Sequence, residues 1–182
     1  MKVNKTFAKV FNIFIKISRF VETIFYMSEI IEGAQAPHFS GINQQGKPIS
    51  LADFKGKKVI LYFYPKDNTP ACTVQACNLR DHNRIFQKYG YHVIGVSPDS
   101  VASHDNFAKS FGLAFPLIAD TENIISNLYG VWGEKKFLGK TFDGIKRTTF
   151  VINEKGIIEK IITKVNTNAH ASQILDQKII KL

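Results

Sequence analysis

Cysteine is scarce in this chain: 182 residues contain two, alongside two methionines and one tryptophan. Two thiols are too few for a disulfide-stapled scaffold and cannot by themselves complete a four-ligand zinc site. A run of about 18 uncharged apolar residues is also missing, so no segment reads as a spanning helix. Acidic side chains are outnumbered, 15 against 24 lysines and arginines, for a net charge of +9. That balance favours solubility without identifying nucleic acid as a partner, and none is expected. What is plentiful is core material: hydrophobic residues make up 45% and charged residues 21%, which excludes wholesale disorder. Composition leaves one ordinary domain whose two thiols need an explanation.

The first 26 residues stand apart. Lys2, Lys5, Lys9, Lys16 and Arg19 face Glu22 alone, and Phe7, Val10, Phe11, Phe14, Ile17, Val21, Ile24 and Phe25 recur at three- and four-residue spacing. This is the pattern of a basic amphipathic helix. Lys16 and Arg19 interrupt the apolar stretch a secretory signal needs, and no small-residue cleavage site follows. Two readings stay open: an interfacial or targeting helix over 1–26, or a dispensable tail ahead of a start at Met27. The body, 27–182, is read as one domain.

Within that body strand and helix signals alternate without repeats. Residues 37–50 read as a short strand pair around Asn43 to Gly46. The run Val59 to Tyr64 is continuously β-branched and aromatic, as in a strand buried on both faces. A loop from Pro65 to Pro70 precedes a helix predicted over 71–89, ending near Gly90. Further strands are expected at 93–96 and 116–119, helices at 100–111 and 122–129, a hairpin from 148–152 and 157–163, and a last helix over 168–180. This order predicts a three-layer α/β sandwich with a mixed central sheet.

The chemistry is expected in the stretch Pro65-Lys66-Asp67-Asn68-Thr69-Pro70-Ala71-Cys72, which continues through Thr73-Val74-Gln75-Ala76 to Cys77. Pro70 suits the first helical position, which makes Thr69 the N-cap and puts Cys72 third in the helix. Unpaired amides and the positive end of the helix dipole converge there and favour a thiolate, the reactive form. A guanidinium would add to this through its fork of donors, and Arg147, at the start of a predicted strand, is a candidate. Cys77 lies five residues on. In an intact helix the two Cα atoms are about 8 to 9 Å apart, beyond disulfide reach of about 7 Å. The pair is either unrelated or joined by a bond that forms only when the helix unwinds locally.

These residues resemble the active site of peroxiredoxins, whose pattern Pro-x-x-x-Thr-x-x-Cys is met by Pro65, Thr69 and Cys72. The chain is more narrowly similar to the bacterioferritin comigratory protein or peroxiredoxin Q subfamily, through Tyr62-Phe63-Tyr64-Pro65-Lys66, Thr73 to Cys77 and Leu79-Arg80-Asp81. Gly130-Val131-Trp132-Gly133-Glu134-Lys135 and the following residues to Phe150 agree as well. The likeness spans roughly residues 30 to 180, with Ala71 and Asn78 standing where the subfamily usually has glycine. It implies a thioredoxin-like fold with a short N-terminal hairpin, and reduction of hydroperoxides. Cys72 would be the peroxidatic nucleophile, Thr69 and Arg147 would bind substrate oxygens and stabilise charge, and Pro65 would shield the sulfenic acid. Cys77 would resolve it as an intramolecular disulfide, with thioredoxin, or glutaredoxin, as external reductant and no prosthetic cofactor or metal. A monomer in the cytoplasm is implied, with organellar import or membrane contact through residues 1–26 as the alternative.

The competing function is a non-enzymatic thioredoxin-like module that binds a membrane or partner through its basic tail. Arg80 is expected to stabilise the local fold, Lys135-Lys136 to form a solvated face, and Trp132 and Phe142 to pack. His82 is the one histidine that spacing could join to the two thiols; His38, His92, His104 and His170 are expected to be structural or exposed.

Overall fold

The computed structural model describes residues 30–137 and 139–175. The amphipathic pattern of 1–26 and residues 176–180 of the predicted last helix lie outside the described residues; within them that helix is shorter than expected, running from His170 to Ile174 with Leu175 extended. Strands β1 (Ser40–Ile42) and β2 (Pro48–Ser50) pair antiparallel. Their turn is built on Asn43, whose Oδ1 accepts from the backbone of Gln45 at 2.9 Å and Lys47 at 3.0 Å. A short 3-10 turn over Leu51–Phe54 leads into β3 (Lys58–Phe63).

Every residue of β3 after Lys58 is buried. Such two-sided burial needs neighbours on both edges. Strand β4 (Tyr91–Ser97) runs parallel on one side and β8 (Thr148–Ile152) antiparallel on the other. With β5 (Leu117–Ala119) and β9 (Ile158–Ile162) the mixed sheet reads β5-β4-β3-β8-β9. Helix α1 (Pro70–Asp81) follows β3, α2 (Asn83–Lys88) precedes β4, and α3 (Val101–Phe111) and α4 (Ile124–Leu128) lie on either side of β5 in sequence. A second ribbon, β6 (Trp132–Phe137) with β7 (Lys140–Ile145), stands outside the main sheet. After β9, a 3-10 turn (Thr167–Ala169) enters α5 (His170–Ile174).

Strand alternation sorts the core onto two faces. Ile60 and Tyr62 of β3, with Val93 and Val151 in register beside Ile60, join Cys72, Ala76, Leu79, Phe86, Phe107, Ala171 and Ile174 in one buried cluster. The opposite face carries Phe63, Tyr129 and Phe150, whose rings meet at 5.1 to 5.8 Å. Each fully buried Ile, Leu or Phe stabilises the fold by about 1.5–3 kcal/mol, so both faces hold the sheet. Gly95 is required by its neighbour: a Cβ there would meet Tyr62 Oη at 2.8 Å and Leu117 at 2.7 Å.

Besides the shortened last helix, three features differ from the sequence expectation. The single helix over 71–89 is two, broken at His82, whose backbone leaves the helical region (φ −97°, ψ 2°). Its ring Nδ1–H donates to the Asn78 carbonyl at 2.8 Å, taking over an acceptor at the end of α1. The β6–β7 ribbon was not anticipated. Phe142, expected to pack, is 47% exposed.

Candidate active site

Pro65 to Thr69 connect the end of β3 to α1. Thr69 is the N-cap of α1 and Pro70 its first residue, as the sequence predicted, so Cys72 sits third in the helix. The Thr69 carbonyl accepts the first bond of the helix, from Thr73 N–H at 2.9 Å, and its side chain makes no cap bond to the first-turn amides. The Thr69 side chain instead donates through Oγ1 to the Lys66 carbonyl at 3.0 Å. That donation fixes the hydroxyl proton and leaves the oxygen's remaining lone pair able to accept.

The loop is tethered from below by Asp67, which is buried. Its carboxylate accepts from Tyr64 Oη at 2.7 Å, Ser103 Oγ at 2.8 Å and His104 Nδ1 at 2.8 Å. Its own N–H donates to Asp99 Oδ2 at 2.8 Å. Burial alone would push the Asp67 carboxyl up; the hydrogen bond and charge of His104, with the two hydroxyls, outweigh it and hold the group below its usual range. His104, itself wholly buried, turns its second ring nitrogen to the Ile118 carbonyl at 3.1 Å. So β3, the loop, α3 and β5 are joined at one point. The sequence left His104 as structural or exposed; it is structural, and its partner could not be read from spacing.

Cys72 is 2% exposed and Cys77 half-buried; both are free thiols. Arg147, in the two-residue link between β7 and β8, reaches across to helix α1. Its Nη2 donates to Cys72 Sγ at 3.1 Å and its Nη1 to Gln75 Oε1. One guanidinium thus spans two positions on the same face of α1, the thiol at the third residue and the amide one turn along. Gln75 is fully buried, and its Nε2 finds no partner among the described residues. Neither its burial nor its bond to Arg147 could be read from spacing.

Lys135 corrects the expectation of a solvated Lys135-Lys136 face. Lys136 is exposed, but Lys135 is half-buried and its Nζ donates to the Ile145 carbonyl at 2.7 Å, two residues before Arg147. Burial, then the like charge of Arg147, lowers the Lys135 ammonium, with Cys72 pulling the other way. The β6–β7 ribbon therefore anchors a second cation beside the link that carries Arg147. Arg80 bonds Asp81 through Nε at 2.8 Å and the Phe111 carbonyl through Nη1 at 2.6 Å. Asp81 first, with the Cys77 thiol adding to it, raises its guanidinium, so Arg80 is not confined to the local fold, contrary to the sequence expectation.

The chain that carries this buried cysteine in the first helical turn, with a guanidinium on its sulfur and a hydroxyl at the N-cap, is similar to known proteins. Residues 33–161 match the AhpC/TSA family. The putative peroxiredoxin bcp of Haemophilus influenzae is 45% identical over 150 residues, which cover 82% of this chain and 97% of that protein. Peroxiredoxin Bcp of Escherichia coli K12 is 42% identical over 150 residues, 82% of this chain and 96% of that one. Among solved structures, a cysteine-to-serine mutant of Xylella fastidiosa PrxQ superposes with a TM-score of 0.77 at 30% identity, covering 85% of this chain and 98% of that one. The bacterioferritin comigratory protein of Xanthomonas campestris, a structure concerned with alkyl peroxide reduction, gives a TM-score of 0.70 at 34% identity over 75% and 87% of the two chains. A sheet and helices of thioredoxin-like type, together with this extent of shared sequence, leave one assignment: the chain belongs to the AhpC/TSA family and is a peroxiredoxin of the bacterioferritin comigratory protein type, a thiol peroxidase.

Proposed function

We propose that Cys72 is the peroxidatic nucleophile and Cys77 the thiol that resolves it. The observation that carries this reading is the 3.1 Å contact from Arg147 Nη2 to Cys72 Sγ within the first turn of α1. The cation and the free amides of that turn stabilise negative charge on sulfur. The thiolate attacks the nearer peroxide oxygen, the O–O bond breaks, and the second oxygen leaves as water or an alcohol after taking a proton. Thr69 Oγ1, its own proton committed to Lys66, accepts from the peroxide O–H. The guanidinium stabilises charge that develops on the oxygens, and Pro65 limits access of water. Cys72 is left as a sulfenic acid, and Cys77 closes a disulfide once the helix between them unwinds.

The reductant we assign is a small dithiol protein of the thioredoxin or glutaredoxin class, which returns both cysteines to thiols by exchange. Two thiols that cycle in this way suit a reducing compartment, the cytoplasm. Among the described residues no helix is long and apolar enough to cross a membrane.

Peroxide consumption with a thiol reductant tests the roles. Cys72→Ser is expected to abolish it. Cys77→Ser is expected to complete one oxidation, accumulate sulfenic acid and turn over poorly with thioredoxin. A Cys72→Ser protein that consumes peroxide at the wild-type rate overturns the assignment.

A further inference from the structure

Asn78 follows Cys77 directly and occupies a position where glycine is usual in the subfamily. Here its side-chain amide is engaged at both the nitrogen and the oxygen. Nδ2 donates to the Asn168 carbonyl at 3.0 Å, and Oδ1 accepts from the Ala171 N–H at 2.8 Å. Both partners are backbone groups about 90 residues away, in the 3-10 turn and the start of α5. The main-chain carbonyl of the same residue accepts from the ring of His82 at 2.8 Å. One residue therefore ties the end of the thiol-bearing helix to the C-terminal segment and to the helix break. A glycine makes neither side-chain bond.

We propose that Asn78 is a brake on the unwinding of α1 that disulfide formation requires, a positioning residue for the resolving step. This rests on the reading of Cys77 as the resolving thiol. In that step the Cys77 thiolate attacks the sulfur of the Cys72 sulfenic acid. The S–S bond forms, the S–O bond breaks, and the departing hydroxide takes the proton lost by Cys77 to give water. No outside oxidant or reductant is consumed. Cys72 and Cys77 must come closer by roughly 2 to 3 Å than an intact helix allows. That motion disturbs the turn that carries residues 77 and 78, and so strains two hydrogen bonds anchored in a different part of the chain. While they hold, the sulfenic acid stays in its folded pocket, where a second peroxide can oxidise it to the sulfinic acid.

Helix propensity offers a clean control. Alanine is a better helix former than asparagine, so if intrinsic helicity set the rate, Asn78→Ala would slow disulfide formation. The brake predicts the opposite. Full-length protein is mixed with one equivalent of hydrogen peroxide, quenched at intervals, and scored by mass spectrometry for sulfenic acid and for the Cys72–Cys77 disulfide. Asn78→Ala is expected to close the disulfide about tenfold faster, with the initial oxidation of Cys72 unchanged. Asn78→Gly is expected to be at least as fast, and both variants should need several-fold more peroxide than wild type to reach the sulfinic state. An Asn78→Ala protein that closes its disulfide at or below the wild-type rate overturns the brake while leaving the resolving role intact. A wild-type chain that forms no Cys72–Cys77 bond overturns both.

Discussion

At the scale of single residues, the site depends on how one guanidinium divides its donors. Arg147 gives one Nη to the Cys72 sulfur and the other to Gln75. Gln75 is neutral, so it orients the cation without competing for its charge as a carboxylate would. Lysine can supply the charge but not the two-point geometry. Arg147→Gln is therefore expected to lower the second-order rate of peroxide reduction by about 10²- to 10³-fold, and Arg147→Lys by an intermediate factor. Unfolding midpoints in urea should move little for either, because Arg147 is half-buried and lies in a connection. Stopped-flow oxidation set beside urea denaturation separates the two effects. A large loss of stability with an unchanged rate would show that the guanidinium serves the fold and not the chemistry.

At the scale of elements, the loop between β3 and α1 is held by a buried polar cluster rather than by apolar packing. Asp67 is its centre, and Thr69 lies two residues on. Asp67→Asn keeps the shape but gives His104 an amide in place of a carboxylate. Breaking one side of a buried pair costs about 3–5 kcal/mol, so a loss at the lower end of that range is expected in urea unfolding. A fall in the peroxide rate should accompany it, since Pro65 and Thr69 flank the disturbed residue. An Asp67→Asn protein with wild-type stability would show that the hydroxyl and imidazole groups re-pair without the carboxylate. The same cluster marks the boundary of what sequence could show. Thr69, Pro70 and Cys72 were legible because capping and the first helical turn are local. The buried strands were legible because two-sided burial leaves an unbroken apolar run. Asp67 and His104 lie 37 positions apart and meet only through the fold. The break at His82 is made by a side chain bonding back four residues, in a segment whose pattern otherwise continues as helix. The β6–β7 ribbon escaped notice because it stands outside the main sheet. Its sequence mixes lysines and glycines with aromatics, and β7 is largely exposed, so no alternation of apolar and polar residues marks it.

At the scale of the whole molecule, the C-terminal segment closes over the sheet and the thiol helix together. His170 begins α5 and is wholly buried. Its Nδ1–H donates to Gln173 Oε1 at 3.1 Å, and Nε2 pairs with the Thr149 hydroxyl at 2.9 Å. The Gln173 amide is oriented by its own bonds, Nε2 to the Lys164 carbonyl at 2.9 Å and Oε1 from the Asn166 N–H at 2.8 Å. The first ring proton therefore sits on Nδ1. Burial, with the charge of Arg147 adding to it, outweighs the Gln173 hydrogen bond and lowers the imidazole to about 4. The unfolded chain takes up that proton near pH 6.5. Between the two values the unfolded state holds more protons, so stability is full above about pH 6.5 and falls as pH drops towards 4. The loss reaches about 3 kcal/mol once both states are protonated. Urea midpoints for wild type and His170→Gln between pH 7.5 and 4 should diverge, the wild type falling more steeply. Parallel curves would mean that other groups govern acid unfolding. Because Ala171, the next residue, donates to Asn78, protonation of His170 in the folded chain, centred near pH 4, is expected to loosen the anchor of the thiol helix. Disulfide closure in the wild type should accordingly hold its pace relative to the Asn78→Ala protein, which has already lost that contact, from neutral pH downward, and quicken against it only as the pH approaches 4.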